Sequence, residues 1–287
     1  MVRIGQIDYA NCTPLFTALK AHFPCAGYRF VAGVPAELNI MLRRGDIDIC
    51  PSSSIEYAKN PDQYLLLPDI SISSLGPVRS VLLFSRVPVE QLNNRIIGLT
   101  TESDTSVALL RILLGRKFNF RNRFERTALP LTEALEQFDA FLLIGDAALR
   151  EGMKKQDLHV YDLGELWYEF TGLPFVFALW IMTREAVARK REEMAALTRD
   201  LQAAKQIAYD SYESIAAASR EGMWIERASL VSYWRTISYD LTPRHVEGVK
   251  TFFRFAREME ILQQEPEIIL FPGDASEIRM GRGWSEC

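Results

Sequence analysis

The first third of the chain repeats one unit: an apolar strand-like run, a short turn rich in Ser, Asn or Pro, then a stretch with helical spacing. A strand–turn–helix repeat folds as βαβ units, which predicts an α/β protein with a parallel sheet and its turns gathered at the strand C-terminal ends. Residues 3–8 read as the first strand, 11–14 as its turn, and 14–21 as a helix with Pro14 at a tolerated first-turn position. Residues 28–32 read as the second strand, and 35–44 as a helix stopped by Gly45. Residues 47–50 form a short buried strand that runs into Pro51, Ser52, Ser53 and Ser54 and another helix.

Further on, residues 78–85 read as a crossover strand after Gly76-Pro77, and a second α/β unit opens near Val89. Its strands are expected at 96–99 and 138–144, with a strongly apolar helix over 107–114 behind the capping cluster Ser103-Asp104-Thr105-Ser106. The apolar run 175–182 reads as the return crossover. Beyond it, 184–222 and the helix after Thr242-Pro243 carry helical spacing and are expected to pack back on the first unit. Two crossover strands joining two α/β units imply two lobes, 1–86 plus 180–287 and 87–179, around a central cleft. Ligands of such folds sit at the strand C-terminal ends.

At 287 residues, 48% hydrophobic and 24% charged, the chain has apolar material for two cores. A net charge of −4 gives no basic field for nucleic acid, so a small-molecule partner is expected. No charge-free apolar run is long enough for a membrane span, and the opening residues alternate like a strand instead of forming a secretory leader, so a cytoplasmic protein is expected. Cys12, Cys25, Cys50 and Cys287 show no CxxC spacing and the three histidines are scattered, which predicts reduced thiols and no metal site.

Three turns should face the cleft. Asn11 offers an amide just after the first strand, either as a helix cap or Asx turn or as a ligand contact. Ser52, Ser53 and Ser54 precede a helix, where hydroxyls and free N–H groups hold a carboxylate without arginine; capping by one of them is the plainer alternative. Thr105 and Ser106 stand in the same relation to the second-lobe helix, while Asp104 would repel an anion if it pointed inward. Two opposed helix N-termini suit a small dicarboxylate bridging the lobes. Asp146 follows an apolar strand as a base, a hydroxyl acceptor or a cap, and Ser80 lies on the predicted crossover facing the ligand or a neighbouring carbonyl. His159 and Cys12 form no nucleophile–base pattern. Trp167, Tyr168, Phe170, Phe175 and Phe177 read as core, with one available to cover a ligand ring.

Ile7-Asp8-Tyr9-Ala10-Asn11-Cys12-Thr13-Pro14-Leu15 is similar to the opening Ile-x-Tyr-x-Asn-x-x-Pro-Leu of chorismate dehydratases, the enzymes that open the futalosine route to menaquinone. Further blocks agree in order: Pro51-Ser52-Ser53-Ser54-Ile55-Glu56-Tyr57-Ala58, Gly76-Pro77-Val78-Arg79-Ser80, Ser103-Asp104-Thr105-Ser106-Val107, Leu142-Leu143-Ile144-Gly145-Asp146-Ala147 and Thr171-Gly172-Leu173-Pro174-Phe175. The resemblance covers roughly residues 3–182 and fades after 184. It implies a two-lobed fold of the periplasmic-binding-protein type II kind and a cofactor-free, metal-free lyase that removes water from chorismate to give 3-[(1-carboxyvinyl)oxy]benzoate. It also implies Asn11 as the catalytic residue, orienting a base supplied by the substrate's own enolpyruvyl carboxylate, with Ser52, Ser53, Ser80, Thr105, Ser106 and Asp146 binding substrate.

A cytosolic small-carboxylate binding protein of the same fold is the first rival. The related 1,4-dihydroxy-6-naphthoate synthase, which has a Pro-Asn-Asp-Thr-like turn where this chain has Tyr9-Ala10-Asn11-Cys12, is the second. A regulator's effector domain is the third, weakened by the missing DNA-binding helix pair.

Overall fold

The computed structural model describes residues 1–155 and 157–272; Cys287 and the end of the expected 180–287 segment lie outside the described residues. The chain begins with β1 (Val2–Ile7), α1 (Thr13–His22), β2 (Tyr28–Gly33), α2 (Pro35–Arg44), β3 (Ile49–Ser53), α3 (Ser54–Lys59) and β4 (Tyr64–Ser74). It continues with β5 (Val81–Ser85), β6 (Ile96–Leu99), α4 (Asp104–Ile112), β7 (Arg123–Arg126), α5 (Leu131–Gln137), β8 (Ala140–Ile144), α6 (Gly145–Gly152), β9 (His159–Asp162) and α7 (Leu163–Thr171). It closes with β10 (Phe175–Thr183), α8 (Arg184–Arg189), α9 (Arg191–Asp210), α10 (Tyr212–Ala218), α11 (Arg227–Trp234) and α12 (Pro243–Glu258).

The strands form two five-stranded sheets of matching design, ordered β2-β1-β3-β10-β4 and β7-β6-β8-β5-β9. In each, a strand pairs in parallel with both neighbours: β1 with β2 and β3, and β6 with β7 and β8. In each, one strand from a distant part of the chain inserts antiparallel, β10 beside β3 and β5 beside β8. The βαβ grammar therefore accounts for the parallel half of each sheet. Gly5 on β1 is packed on closely by β3 and α2: an added Cβ would lie 2.5 Å from the Cβ of Cys50 on β3 and 3.3 Å from Leu38 on α2. α2 ends where predicted, at Gly45, whose left-handed φ of 73° lets its N–H return to the carbonyl of Leu42.

The predicted crossover strands exist as β5 and β10, but each belongs wholly to one sheet. Val81–Ser85 pairs only in the second sheet and Phe175–Thr183 only in the first. An antiparallel strand needs both neighbours for its ladder, so it goes with the sheet it pairs into. The chain crosses between lobes in residues 75–80 and 172–174, which moves the junctions several residues ahead of the expected 86/87 and 179/180. The crossings carry left-handed residues, Gly76 (φ 92°), Arg79 (φ 62°) and Gly172 (φ 70°).

The predicted C-terminal helices do cover the first lobe: α9 packs on α1 and β4. α12 goes further, touching β10 and α3 on one side and α4 of the second lobe on the other. Its stripe of Val249, Phe252, Phe253 and Ala256 is buried, and Phe252 packs edge-on to Phe175. The open edge of β4 is covered by Ser238–Tyr239 and by the chain around Ile269–Phe271. No helix of the described residues is long and apolar enough to cross a membrane.

Candidate active site in the interlobe cleft

A cleft opens between the sheets at the C-terminal ends of β1, β3 and β8. Its walls are largely apolar, with Ile7, Ile72, Val78, Val81, Ile144 and Phe177. Its polar groups are Tyr9, Asn11, Ser53, Ser80, Ser103 and Ser106. Among the described residues that line it, none is Lys, Arg, His, Asp, Glu or Cys.

Asn11 sits in the turn between β1 and α1. That turn is held by its own bonds, Cys12 N–H to the Tyr9 carbonyl at 2.9 Å and Thr13 N–H to the Ala10 carbonyl at 3.3 Å. It is also held by bonds from outside. Ala10 N–H donates to Asp146 Oδ1 at 2.8 Å, the Ala10 carbonyl accepts from Trp234 Nε1 at 2.7 Å, and the Asn11 carbonyl accepts from the Tyr239 hydroxyl at 2.7 Å. Against this fixed backbone the Asn11 side-chain oxygen is buried and has no partner. Leaving such a group unpaired costs about 1–3 kcal/mol, so the amide is set to bind something that enters the cleft.

The second lobe meets this turn at Gly145, the first residue of α6. Its φ of 64° favours glycine, and an added Cβ would lie 2.9 Å from the Tyr9 ring. Tyr9 donates its hydroxyl to Glu102 at 2.8 Å, and burial, followed by the charge of Glu102, pushes the phenol's pKa well up. Asp146 also has a raised pKa, mainly from burial and partly offset by the Ala10 N–H.

The structure brings four of the seven predicted site residues, Asn11, Ser53, Ser80 and Ser106, to the cleft wall. Ser53 stands at the N-cap of α3 yet makes no side-chain cap bond, so its hydroxyl is not spent on the helix. Ser80 precedes β5 in the crossing segment and accepts from the hydroxyl of buried Tyr233 at 2.9 Å. The capping alternative is realised at Ser103, whose hydroxyl accepts from Ser106 N–H at 3.2 Å.

Ser52, Thr105 and Asp146 do not line the cleft. Ser52 is fully buried and donates to Asn39 Oδ1. Thr105 Oγ1 accepts from Ile55 N–H at 3.1 Å, joining the N-terminus of α3 to that of α4. The two helix starts therefore meet through Thr105, and one N–H expected to face a dianion is used between the lobes. Asp146 is turned to the backbone of Ala10. Asp104 points away from the cleft, paired with Lys59 at 2.9 Å and Arg126 at 2.5 Å; these partners outweigh burial and lower its pKa. Cys12 is buried with its thiol pKa raised by burial, and His159 lies on β9, stacked on Tyr161. Among the aromatics read as core, Phe177 reaches the cleft while Trp167 and Phe175 are fully buried. Among the described residues no group of three or more His, Cys, Asp or Glu could hold a metal.

The sequence reading missed Tyr9 and Ser103 as cleft residues. It also missed Tyr233, Trp234 and Tyr239 behind the cleft. Tyr9 stands in the same motif as Asn11 and Ser103 in the same capping cluster, so a signal existed for both. The other three lie in a segment whose only sequence signal is apolar content.

The fold resembles a protein of Archaeoglobus fulgidus known by crystal structure (TM-score 0.73, 17% identity, 91% of this chain and 98% of that one). It also resembles the periplasmic aliphatic sulphonate binding protein of Escherichia coli (TM-score 0.67, 12% identity, 99% and 97%). At these identities the likeness concerns the fold, which is of the periplasmic-binding-protein kind. Relatives named chorismate dehydratase occur in Thermus thermophilus, 34% identical over 87% of this chain and 93% of its own, and in Campylobacter jejuni, 32% identical over 61% and 64%. A family model described as menaquinone biosynthesis matches residues 2–258, which spans both lobes, the Asn11 turn and the C-terminal helices α8 to α12. The chain belongs to this menaquinone-biosynthesis family, together with the chorismate dehydratases.

Proposed function

We propose that this protein is a chorismate dehydratase, a carbon–oxygen lyase that removes one water from chorismate to give 3-[(1-carboxyvinyl)oxy]benzoate. The observation that carries the reading is the buried, unpartnered amide oxygen of Asn11 in a cleft walled by apolar groups and serine hydroxyls. The kinship with named dehydratases over nearly the whole chain supports the same conclusion.

The chemistry suits such a cleft. The proton on the ether-bearing ring carbon is γ to an unsaturated carboxylate, so its removal spreads charge toward that carboxylate. Loss of the neighbouring hydroxyl then leaves an aromatic ring; the abstracted proton and the hydroxide together make the water released. Neutral donors fixed around the ring carboxylate stabilise the developing charge, and Ser53 and Ser106 are the hydroxyls available for it, with Ser80 left to bind the substrate away from that carboxylate. Among the described residues that line the cleft the only titratable side chain is Tyr9, and its raised pKa keeps it protonated and unable to act as the base. The base in this reading is the substrate's enolpyruvyl carboxylate, oriented by the Asn11 amide. Phe177 covers the ring, and Asp146 acts through Ala10 by holding the lobes together. A cytoplasmic location belongs to the same reading and is supported by the unpaired thiols of Cys12, Cys25 and Cys50.

The test is incubation of purified, chelator-treated protein with chorismate, followed by chromatography and mass spectrometry. Appearance of the enolpyruvyl benzoate with loss of one water is the expected result. Unchanged chorismate overturns the proposal and leaves a binding protein or the related naphthoate synthase.

A further inference from the structure

The two most polar contacts expected for the substrate, Asn11 and Ser80, lie on segments without regular structure. Asn11 is in the turn after β1, and Ser80 in the crossing segment before β5. A turn of this kind has no ladder to fix it, and Cys12, the N-cap of α1, makes no side-chain cap bond. Both segments are nevertheless held by one stretch of chain far away in sequence, α11 and the residues just after it. Tyr233 donates to Ser80 Oγ at 2.9 Å, Trp234 to the Ala10 carbonyl at 2.7 Å, and Tyr239 to the Asn11 carbonyl at 2.7 Å. All three side chains are at most 1% exposed.

This stretch is itself anchored. Tyr239 N–H donates to the Tyr209 hydroxyl at 2.7 Å and its carbonyl accepts from Ser71 N–H on β4 at 2.9 Å, while its ring packs against Tyr209. Trp234 packs on Tyr212. A rigid path therefore runs from β4 and α9 through the phenol of Tyr239 to the peptide of Asn11.

We propose that Tyr239 and Tyr233 are positioning residues for the dehydration, the first fixing the Asn11 amide and the second the Ser80 hydroxyl; the proposal rests on the reading of those two residues given above. The two phenols act on different parts of the reaction. With Tyr239 bonded, the peptide after Asn11 cannot rotate, and the amide keeps the orientation that steers the attacking carboxylate. A misplaced orienting group costs rate while leaving binding nearly intact. Tyr233 occupies one lone pair of Ser80, whose own hydrogen reaches only the Val78 carbonyl at a long 3.4 Å, a contact that an acceptor on the ligand can displace; the contact with the ligand is made equally in the bound substrate and in the transition state.

The test compares Tyr239→Phe, Tyr233→Phe and a control, Tyr28→Phe, which removes the same hydroxyl from a half-buried pair with Asp200 remote from the cleft. For chorismate, Tyr239→Phe is expected to lower kcat about tenfold with KM within about twofold of wild type. Tyr233→Phe is expected to raise KM about fivefold with kcat within about twofold. Tyr28→Phe should change neither, and all three melting temperatures should stay within a few degrees of wild type. A Tyr239→Phe enzyme with unchanged kcat overturns the proposal, as does one whose kcat falls only together with its melting temperature. If wild type leaves chorismate untouched, the reading of the site falls and the positioning roles fall with it. Wild-type turnover without the opposite kcat and KM responses overturns the positioning roles alone.

Discussion

Asp146 bonds the residue just before Asn11, and the structure gives the two side chains different work. Asn11 presents a buried oxygen with no protein partner, so its truncation removes nothing that holds the fold. Asn11→Ala is expected to lower kcat at least about tenfold while leaving the melting temperature nearly unchanged, as read by steady-state kinetics and thermal denaturation. Retention of most of the activity would remove Asn11 from the mechanism. Asp146 instead accepts the Ala10 N–H across the cleft. A hydrogen bond to a charged group contributes about 1.5–3 kcal/mol, so Asp146→Ala is expected to raise KM for chorismate by about tenfold, with a smaller effect on kcat. Asp146→Asn, whose amide oxygen can still accept from Ala10, is expected to stay near wild type. A collapse of kcat in that variant would assign the carboxylate a direct chemical part.

Elements meet at two places where one atom decides the packing. The start of α6 approaches β1's turn so closely that Gly145 admits no Cβ, and its left-handed backbone disfavours one independently. Gly145→Ala is expected to cost about 1–2 kcal/mol from the backbone alone and to displace Tyr9. Denaturant unfolding should show the first effect and a raised KM the second. The other place is Asp48, which ties β1, β3 and the start of α9. Its carboxylate bonds Arg3 through the backbone N–H at 2.7 Å and the guanidinium at 2.6 Å, and Lys190 at 2.6 Å. Burial pushes the Asp48 pKa up, yet Arg3 and Lys190 outweigh it and the net value is lowered below 3.8. A carboxyl group depressed on folding contributes stability that is fully present above its unfolded value and is lost as pH falls through the folded one. Stability is therefore expected to fall below about pH 4 in the wild type. Asp48→Asn should be less stable at neutral pH and flatter across that acid range in a melting-temperature profile.

The whole molecule holds its lobes together by contacts made only between them. Among the described residues they include Tyr9 to Glu102, Ala10 to Asp146, Ile55 to Thr105, Lys59 to Asp104, and α12 laid against α4. The connection between lobes has its own fixed point. Asp162, 9% exposed, accepts N–H groups from Val78 and Arg79 in one crossing and from Gly164 and Glu165 at the start of α7, the helix that leads to the other. One carboxylate thereby ties the first crossing to the start of α7. Asp162→Ala is expected to destabilise the protein by about 2 kcal/mol or more, since it leaves buried N–H groups unpaired. It should also speed hydrogen exchange at those four amides, relative to the centres of β1 and β8. Unchanged exchange there would mean that the first crossing and the start of α7 are rigid without it.

Much of this was legible in local sequence because it depends on local physics. Alternating apolar residues, Pro14 and Pro243 in first helical turns, and Gly45 after α2 act within a few residues, and β1, α1, α2 and α12 appear close to where those signals put them. The Asn11 turn and the Ser53 and Ser106 hydroxyls were legible for the same reason, since each stands at a strand-to-helix junction. What the sequence left open required partners distant in the chain. It could not say that Val81–Ser85 and Phe175–Thr183 each join a single sheet, because a continuous apolar run looks the same beside either one. It could not separate Ser53, which faces the cleft, from Ser52, which bonds Asn39, because adjacent strand residues point to opposite faces and local pattern does not say which face is the cleft. Nor could it show that Tyr233, Trp234 and Tyr239 stand behind Ser80, Ala10 and Asn11, more than 150 positions away. The sequence determined the strand–turn–helix units of the first lobe and the turn that carries the proposed chemistry; only the tertiary structure decided which side chains hold that turn still, because such contacts depend on where the chain returns.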